Sequence, residues 1–331
     1  MTLNIYDVTL RDGNHALRHK LDPKFVSSYC AKADDSGVWA VEVGHGNGLG
    51  ASSFLVGKSK FSDNELLTAA RNNLNKSKLA VHSIPGFATI KNDLIPAINI
   101  GVDVFRVATH VTEASVSQKH IEFLANKEVV VHGVLMMSHM ISEKELLVQI
   151  ELMKNYGATA VILMDSAGNF IPSEVKSRIK IIKEQIEIDL GFHAHNNLGV
   201  AVSNAIEAHT FGATIVDGAS MGLGAGAGNA QLENIVANFI KGNTLNFDLK
   251  NFIEMSKLVE VTHEEFLPRT SSSSIESGFN GVFSGYAPQV QKISKEYGLD
   301  TSILWSEMAK RKLVAGQESM IKEIAQDLMN L

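Results

Sequence analysis

Cysteine is almost absent from this chain. Cys30 is the only one, so no disulfide can form within one copy, and a reducing compartment suits it. Long apolar runs are missing too. The longest, such as residues 158–164, fall far short of the roughly 20 residues a membrane-crossing helix needs. There is no basic block and no aromatic ladder: 30 Lys and Arg face 36 Asp and Glu, a formal charge of −6. That balance argues against a nucleic-acid partner. The opening MTLNIYDVTL has neither the apolar core of a secretory signal nor the arginine content of an organelle presequence. These absences lead us to expect a soluble cytoplasmic protein that engages neither membrane nor nucleic acid.

What is present is a core-forming composition. Of 331 residues, 45% are hydrophobic and 20% charged, a globular balance that suits an α/β barrel with an appendage. Short β-rich runs recur, each followed by a helical pattern. Strands are expected near residues 5–9, 39–43, 79–83, 102–108, 129–136, 160–165, 190–195 and 214–218. Helices are expected at 23–36, 63–73, 117–125, 143–156, 172–185 and 200–211, with capping signals at Asp22-Pro23, Ser62-Asp63 and Ser142-Glu143. Eight strands alternating with helices predict a parallel (β/α)8, or TIM, barrel. An open doubly wound sheet is the weaker alternative, because no GxGxxG follows the first strand.

Helical patterns resume at 231–241 and 249–266. Thr270-Ser271-Ser272-Ser273-Ser274 reads as a linker or loop. Three more helical stretches follow at 288–297, 302–312 and 317–331. They exceed what a closed barrel needs. We therefore divide the chain into a barrel domain, residues 1–265, and a small helical C-terminal domain, residues 266–331.

In a barrel of this kind chemistry gathers at the C-terminal ends of the strands. Polar residues expected there are Arg11 and Asp12, Glu42, Arg106, Thr109 and His110, Ser138 and His139, Asp165 and Ser166, His193 and His195, and Asp217. The stretch GFHAHNNLGV, residues 191–200, is the organising one. His193 and His195 stand two apart at the end of an apolar run, so an extended strand points both imidazoles to one face. The blander alternative is a pair of unrelated surface or core histidines. With Asp12 from TLRDG the pair becomes a two-histidine, one-carboxylate set that leaves coordination positions open. Such a set suits Mn²⁺ or Mg²⁺, with Co²⁺ and Zn²⁺ as alternatives. Zinc hydrolases on barrels carry HxH on the first strand, whereas here it comes late, which weighs against hydrolysis.

A metal so held acts as a Lewis acid on a 2-oxo acid. Arg11 beside it is suited to stabilising an enolate, the alternative being an ordinary ion pair with Asp12 or Glu42. His15, in the Gly13-Asn14 turn, is a candidate general base, or else a bystander. The loop GLGAGAGN, residues 222–229, either cradles a phosphate or permits tight packing near the site. The tract LMMSHM, residues 135–140, reads as barrel interior.

TLRDGNH, HGNGLGASS, THVTEA, LMMSHM, MDSAG, GFHAHNNLG and GLGAGAGN together closely resemble the 4-hydroxy-2-oxovalerate aldolases. These are class II pyruvate aldolases of the superfamily that includes 3-hydroxy-3-methylglutaryl-CoA lyase and isopropylmalate synthase. The likeness runs nearly end to end. It includes KRKLVAGQESMI, residues 310–321, similar to the family's segment that packs on an acylating acetaldehyde dehydrogenase. The resemblance implies a carbon–carbon lyase with a metal, usually Mn²⁺, held by Asp12, His193 and His195. Arg11 and Ser166, with His193, would bind the 2-oxo acid, and His15 would take the 4-hydroxyl proton as pyruvate and an aldehyde separate.

Three positions depart from the family's pattern. Phe283 stands where a tyrosine is usual, with Tyr286 nearby. His82-Ser83-Ile84 replaces an apolar run before Pro85-Gly86, so His82, Ile84 and Phe283 are the candidate aldehyde pocket. Ser271–Ser274 replaces a charged segment. The competing expectations are a Claisen-type acyl-CoA/2-oxo acid enzyme of the same superfamily, and a weakly active scaffold for a dehydrogenase.

Overall fold

In the computed structural model, which describes residues 2–314 and 317–330, eight strands close into one parallel barrel. They are β1 (Asn4–Asp7), β2 (Ala40–Glu42), β3 (Lys78–Ser83), β4 (Val104–His110), β5 (Val130–Met136), β6 (Ala160–Asp165), β7 (Asp189–Ala194) and β8 (Ile215–Gly218). Each pairs with its sequence neighbour, and β1 closes the ring on β8 with Asn4 opposite Ile215 and Asp7 opposite Gly218. The expected (β/α)8 barrel is therefore the observed fold.

Alternation along the strands explains the core. Ile5, Val41, Leu79, Val81, Phe105 and Phe192 face outward into the layer shared with the helices. Tyr6, Ala40, Ala80, Val104, Ala108, Val134, Ile162, Met164 and Ile215 fill the interior. Barrel interiors are usually packed with branched aliphatics. Here Glu42, Arg106 and Asp217 are buried polar residues at the same alternation, and they set the electrostatics beneath the mouth.

Helix starts follow their capping chemistry. The Asp22 carboxylate accepts from Lys24 N at 2.8 Å, and Ser62 and Ser142 form capping boxes with Glu65 and Glu145. Two segments differ from expectation. Residues 90–100, read as nothing in particular, form a π turn at Ile90–Leu94 and a helix at Ile95–Ile100. Pro96 lies in that helix's first turn, where a missing N–H costs no hydrogen bond. The serine run is not a loop. Ser271 accepts from Ser274 N and caps the helix Ser272–Asn280, as serine does at an N-cap.

Ala287–Tyr297, Thr301–Lys310 and Ser319–Met329 follow it. Trp305, Leu304, Val290, Ile293, Ile321 and Ile324 form a cluster of their own among these helices. Ala315 and Gly316, within the KRKLVAGQESMI stretch, and Leu331, at the end of the last expected helix, lie outside the described residues.

Candidate metal centre and active site

The segment after β1 curls back on itself. Arg11 N and Asp12 N both donate to the Val8 carbonyl, at 3.1 and 2.9 Å, and the chain enters the short helix Gly13–Ala16. The turn leaves Arg11 and Asp12 at the mouth, each only 3% exposed. On the other side of β8, His193 lies near the end of β7 and His195 just beyond it. Their Nε2 atoms approach to 3.4 Å. Asp12, His193 and His195 each offer one ligand atom, all within 4.8 Å of one another and all buried.

Protonation follows from the partners. Asp217 Oδ2 lies 2.9 Å from His193 Nδ1. Burial alone would raise the Asp217 pKa, but Arg106 and His193 pull it below the usual carboxylate range. As an ionised acceptor, Asp217 takes a hydrogen bond from His193 Nδ1 and turns Nε2 toward His195. Burial holds His195 down to about 4, so it is neutral near pH 7. Asp12 is ionised: burial opposes this, but Arg11 and the surrounding histidines hold its pKa well below the usual carboxylate range. Two imidazoles with their Nε2 atoms face to face beside a carboxylate form a donor set that fits a divalent cation. A carboxylate behind one ligating imidazole is a common support for such a site.

The rest of the mouth braces these groups. Asp12 Oδ2 accepts from Asn229 Nδ2 at 2.8 Å and from Ala225 N at 3.2 Å. A Cβ on Gly224 would come within 2.6 Å of Asp12 Oδ2. The GLGAGAGN loop therefore packs against Asp12, and its Ala225 N–H is spent on that carboxylate rather than offered to a phosphate. Arg11 donates to Asp12 Oδ1 at 2.8 Å, to Glu42 Oε2 at 3.1 Å and to the Gly46 carbonyl at 3.4 Å. Its second terminal nitrogen lies 3.1 Å from Glu42 Oε2 yet has no aligned hydrogen-bond acceptor. The ion pairs weighed for Arg11 exist, and one guanidinium nitrogen remains without a bonded partner.

His15 is half-buried, edge-on to His19 with ring centroids 5.3 Å apart. A Cβ on Gly46 would lie 2.5 Å from the His15 ring, so only glycine lets the chain pass there. Burial lowers the His15 pKa, with Asp12 opposing. His19 stacks on His45 at 3.7 Å. Neither His19 nor His45 was singled out in the sequence, because a stack formed across two loops has no local spacing.

Ser166 Oγ accepts from Met137 N at 3.1 Å, which leaves its own O–H free to donate. His82 Nδ1 lies 3.5 Å from Glu42 Oε1, and neither atom has a hydrogen-bond partner. Ile84 packs against the barrel-interior cluster. Phe283 is partly buried against the C-terminal cluster. The Tyr286 hydroxyl donates to the Val314 carbonyl, so it does not replace a hydroxyl at Phe283.

Several expected rim residues are engaged elsewhere. His110 bonds Thr112, Ser138 donates to the Leu135 carbonyl, and Asp165 accepts from Asn169 N and Phe170 N. Thr109 is buried, and its hydroxyl has no partner. His139 bonds the Gly281 carbonyl at 2.9 Å, which ties the mouth to the C-terminal helices.

Comparison with known proteins gives two family matches. Residues 2–259 match the HMGL-like family, and residues 268–330 match the DmpG-like communication domain. A 4-hydroxy-2-oxovalerate aldolase of Pectobacterium atrosepticum is 48% identical over 323 residues, 97% of this chain and 94% of that protein. Another, of Spirochaeta aurantia, is 46% identical over 98% of this chain and 95% of that protein. Among solved structures, the N-terminal domain of a putative aldolase from Bacteroides vulgatus superposes with a TM-score of 0.76 at 24% identity. It covers 89% of this chain and 98% of that one. The carboxyl transferase domain of Rhizobium etli pyruvate carboxylase gives 0.81 at 15% identity, over 99% of this chain and 60% of that one. These two likenesses bear on the fold alone. The chain belongs to the HMGL-like family and, within it, to the 4-hydroxy-2-oxovalerate aldolases.

Proposed function

We propose that this protein cleaves 4-hydroxy-2-oxo acids of the 4-hydroxy-2-oxopentanoate type into pyruvate and an aldehyde, by a metal-dependent retro-aldol reaction. Asp12, His193 and His195 would hold the divalent ion, Mn²⁺ in our reading, with Mg²⁺, Co²⁺ and Zn²⁺ as alternatives. Bound there, the ion supplies Lewis acidity toward the 2-oxo acid's oxygens. The observation that carries the proposal is the buried carboxylate–imidazole–imidazole set beside an arginine with one terminal nitrogen lacking an aligned hydrogen-bond acceptor.

Arg11 meets the negative charge that grows on the 2-oxo oxygen as the C3–C4 bond breaks, a charge largest in the transition state. His15, neutral near pH 7 because burial lowers its pKa, takes the 4-hydroxyl proton. The Ser166 hydroxyl donates to the substrate carboxylate, and His193 borders the same position. Charge balance supports this substrate class. Arg11 and Arg106 bring two positive charges against Asp12, Glu42 and Asp217, which leaves the cluster at −1. A divalent ion makes it +1, and a monoanionic 2-oxo acid neutralises it.

His82, Ile84 and Phe283 form the aldehyde side of the pocket in this reading, and the His82 imidazole makes that side more polar. Residues 1–265 would serve catalysis. Residues 266–331, through the stretch around 310–321, would contact an acylating acetaldehyde dehydrogenase that receives the aldehyde. No helix among the described residues is long and apolar enough to cross a membrane, and we take the cytoplasm as the site of action. The test is pyruvate release, coupled to lactate dehydrogenase, from short and long 4-hydroxy-2-oxo acids. It should appear with added Mn²⁺ and vanish after chelation. Metal-replete protein that releases no pyruvate from any of them would contradict the proposal.

A further inference from the structure

We propose that Arg106 is a positioning residue that fixes the metal-binding side and the substrate-binding side of the site together. The inference rests on the metal and substrate roles proposed above for His193 and Arg11.

Arg106 lies on β4 with no exposed surface, on the interior face with Val104 and Ala108. In an eight-stranded ring β4 is directly opposite β8. Its guanidinium nonetheless reaches Asp217 on β8. One terminal nitrogen lies 2.8 Å from Asp217 Oδ2 and the other donates to Oδ1 at 3.1 Å. The first also reaches Glu42 Oε2, on β2, at 3.4 Å. The guanidinium carbon stands 4.5 Å over the Tyr6 ring, which orients the plane of the fork.

Each carboxylate then passes the constraint upward. Asp217 Oδ2 holds His193 Nδ1 at 2.9 Å, which sets the orientation of the ring and the direction in which Nε2 points. Glu42 Oε2 accepts from Arg11 Nε at 3.1 Å, which sets the angle at which Arg11 enters the mouth. Arg106 is the cation common to both carboxylates. Without it, two buried carboxylates would lose the cation that holds them in place, and neither would keep its present position. A lysine keeps the charge but cannot make the two-pronged contact with Asp217.

The experiment uses full-length Arg106→Lys, Arg106→Met, Asp217→Asn and Glu42→Gln. Manganese affinity is measured by isothermal titration calorimetry, and kcat and KM by pyruvate release. Arg106→Lys should weaken Mn²⁺ binding by about 10- to 100-fold, the usual effect of losing a group behind a ligand, and should lower kcat as well. Asp217→Asn should act mainly on Mn²⁺ affinity. Glu42→Gln should lower kcat and leave Mn²⁺ affinity within about twofold. In the Arg106→Lys/Asp217→Asn double variant the metal losses should be less than additive, as for residues acting in series.

A merely structural arginine predicts instead a lowered melting temperature, with folded protein retaining wild-type Mn²⁺ affinity and kcat. That result for Arg106→Lys overturns the proposal. Should both Arg106 variants fail to fold, the Asp217 and Glu42 arms decide. Separate effects on affinity and on kcat support the proposal, and any other pattern overturns it. The calorimetry needs no turnover. Wild-type protein that binds Mn²⁺ but releases no pyruvate therefore overturns the function reading and leaves the Arg106 affinity test intact.

Discussion

His193 answers to two neighbours, with Asp217 at Nδ1 and His195 facing Nε2. That arrangement holds one ring nitrogen against a carboxylate and turns the other toward the neighbouring imidazole. The pair itself was legible in the sequence, because two residues apart on a strand means one face. Asp217 appeared there only as one polar residue among many, since which strand ends face one another depends on barrel register. Arg11 shows the same limit. Its partners Asp12 and Glu42 were named as alternatives to a catalytic role, yet in the fold it pairs with both and keeps one nitrogen unbonded. At this scale we predict that Arg11→Ala lowers kcat by about 10²–10³-fold, the usual loss for a charge-stabilising donor, with Mn²⁺ affinity largely retained. Arg11→Lys, measured beside it by pyruvate release, should recover only part of the rate, since a point charge replaces a fork. Turnover of Arg11→Ala within a few-fold of wild type would remove Arg11 from the charge-stabilising role.

The helix Ser272–Asn280 is the element where local composition misled and tertiary contacts decided. Four serines in a row resemble a linker, but Ser271 caps the helix and Ser274 and Ser277 are buried on it. Asn197, two residues past His195, donates to the Ser274 carbonyl at 3.0 Å, to Ser277 Oγ at 3.0 Å and to Ser284 Oγ at 2.6 Å. Asn169 adds a bond to the Gly278 carbonyl at 2.7 Å. A helix made of small polar residues is thus bonded to the rim that carries the histidines. Asn197→Ala should cost about 1–3 kcal/mol by leaving buried acceptors unpaired. The check is amide exchange, which should quicken selectively across residues 272–284. Unchanged exchange there would mean that the asparagine does not anchor the helix.

Across the whole molecule, barrel and C-terminal helices meet at a seam that also contains His139. Its imidazole contacts the Gly281 carbonyl, with Arg178, His110 and Glu174 around it. Burial holds its pKa down to about 4 in the folded protein. Below its ordinary value near 6.5 the unfolded chain takes up a proton that the folded chain refuses. Stability therefore falls as pH drops from about 6.5 toward 4, and no such loss operates above 6.5. His139→Gln, which keeps an N–H donor, should narrow the gap in melting temperature between pH 7 and pH 5 relative to wild type. An identical gap in both proteins would contradict this assignment.

The barrel was legible from end to end, because strands buried on both faces read as short apolar runs between helical patterns. In the segment 90–100, Pro96 sits in the first turn of a helix and breaks nothing there. The additional C-terminal helix escaped because its contacts are polar and distant in sequence.

The central claim is that one divalent ion is gripped by side chains at and just past the C-terminal ends of β1 and β7. Bound manganese per chain, measured by electron paramagnetic resonance against free Mn²⁺, tests it most directly in the wild type and in Asp12→Ala, His193→Ala and His195→Ala. The account predicts about one tightly bound ion per wild-type chain and its loss in each variant, with Arg11→Ala as the variant that keeps it. Full manganese occupancy in folded His193→Ala would contradict the account.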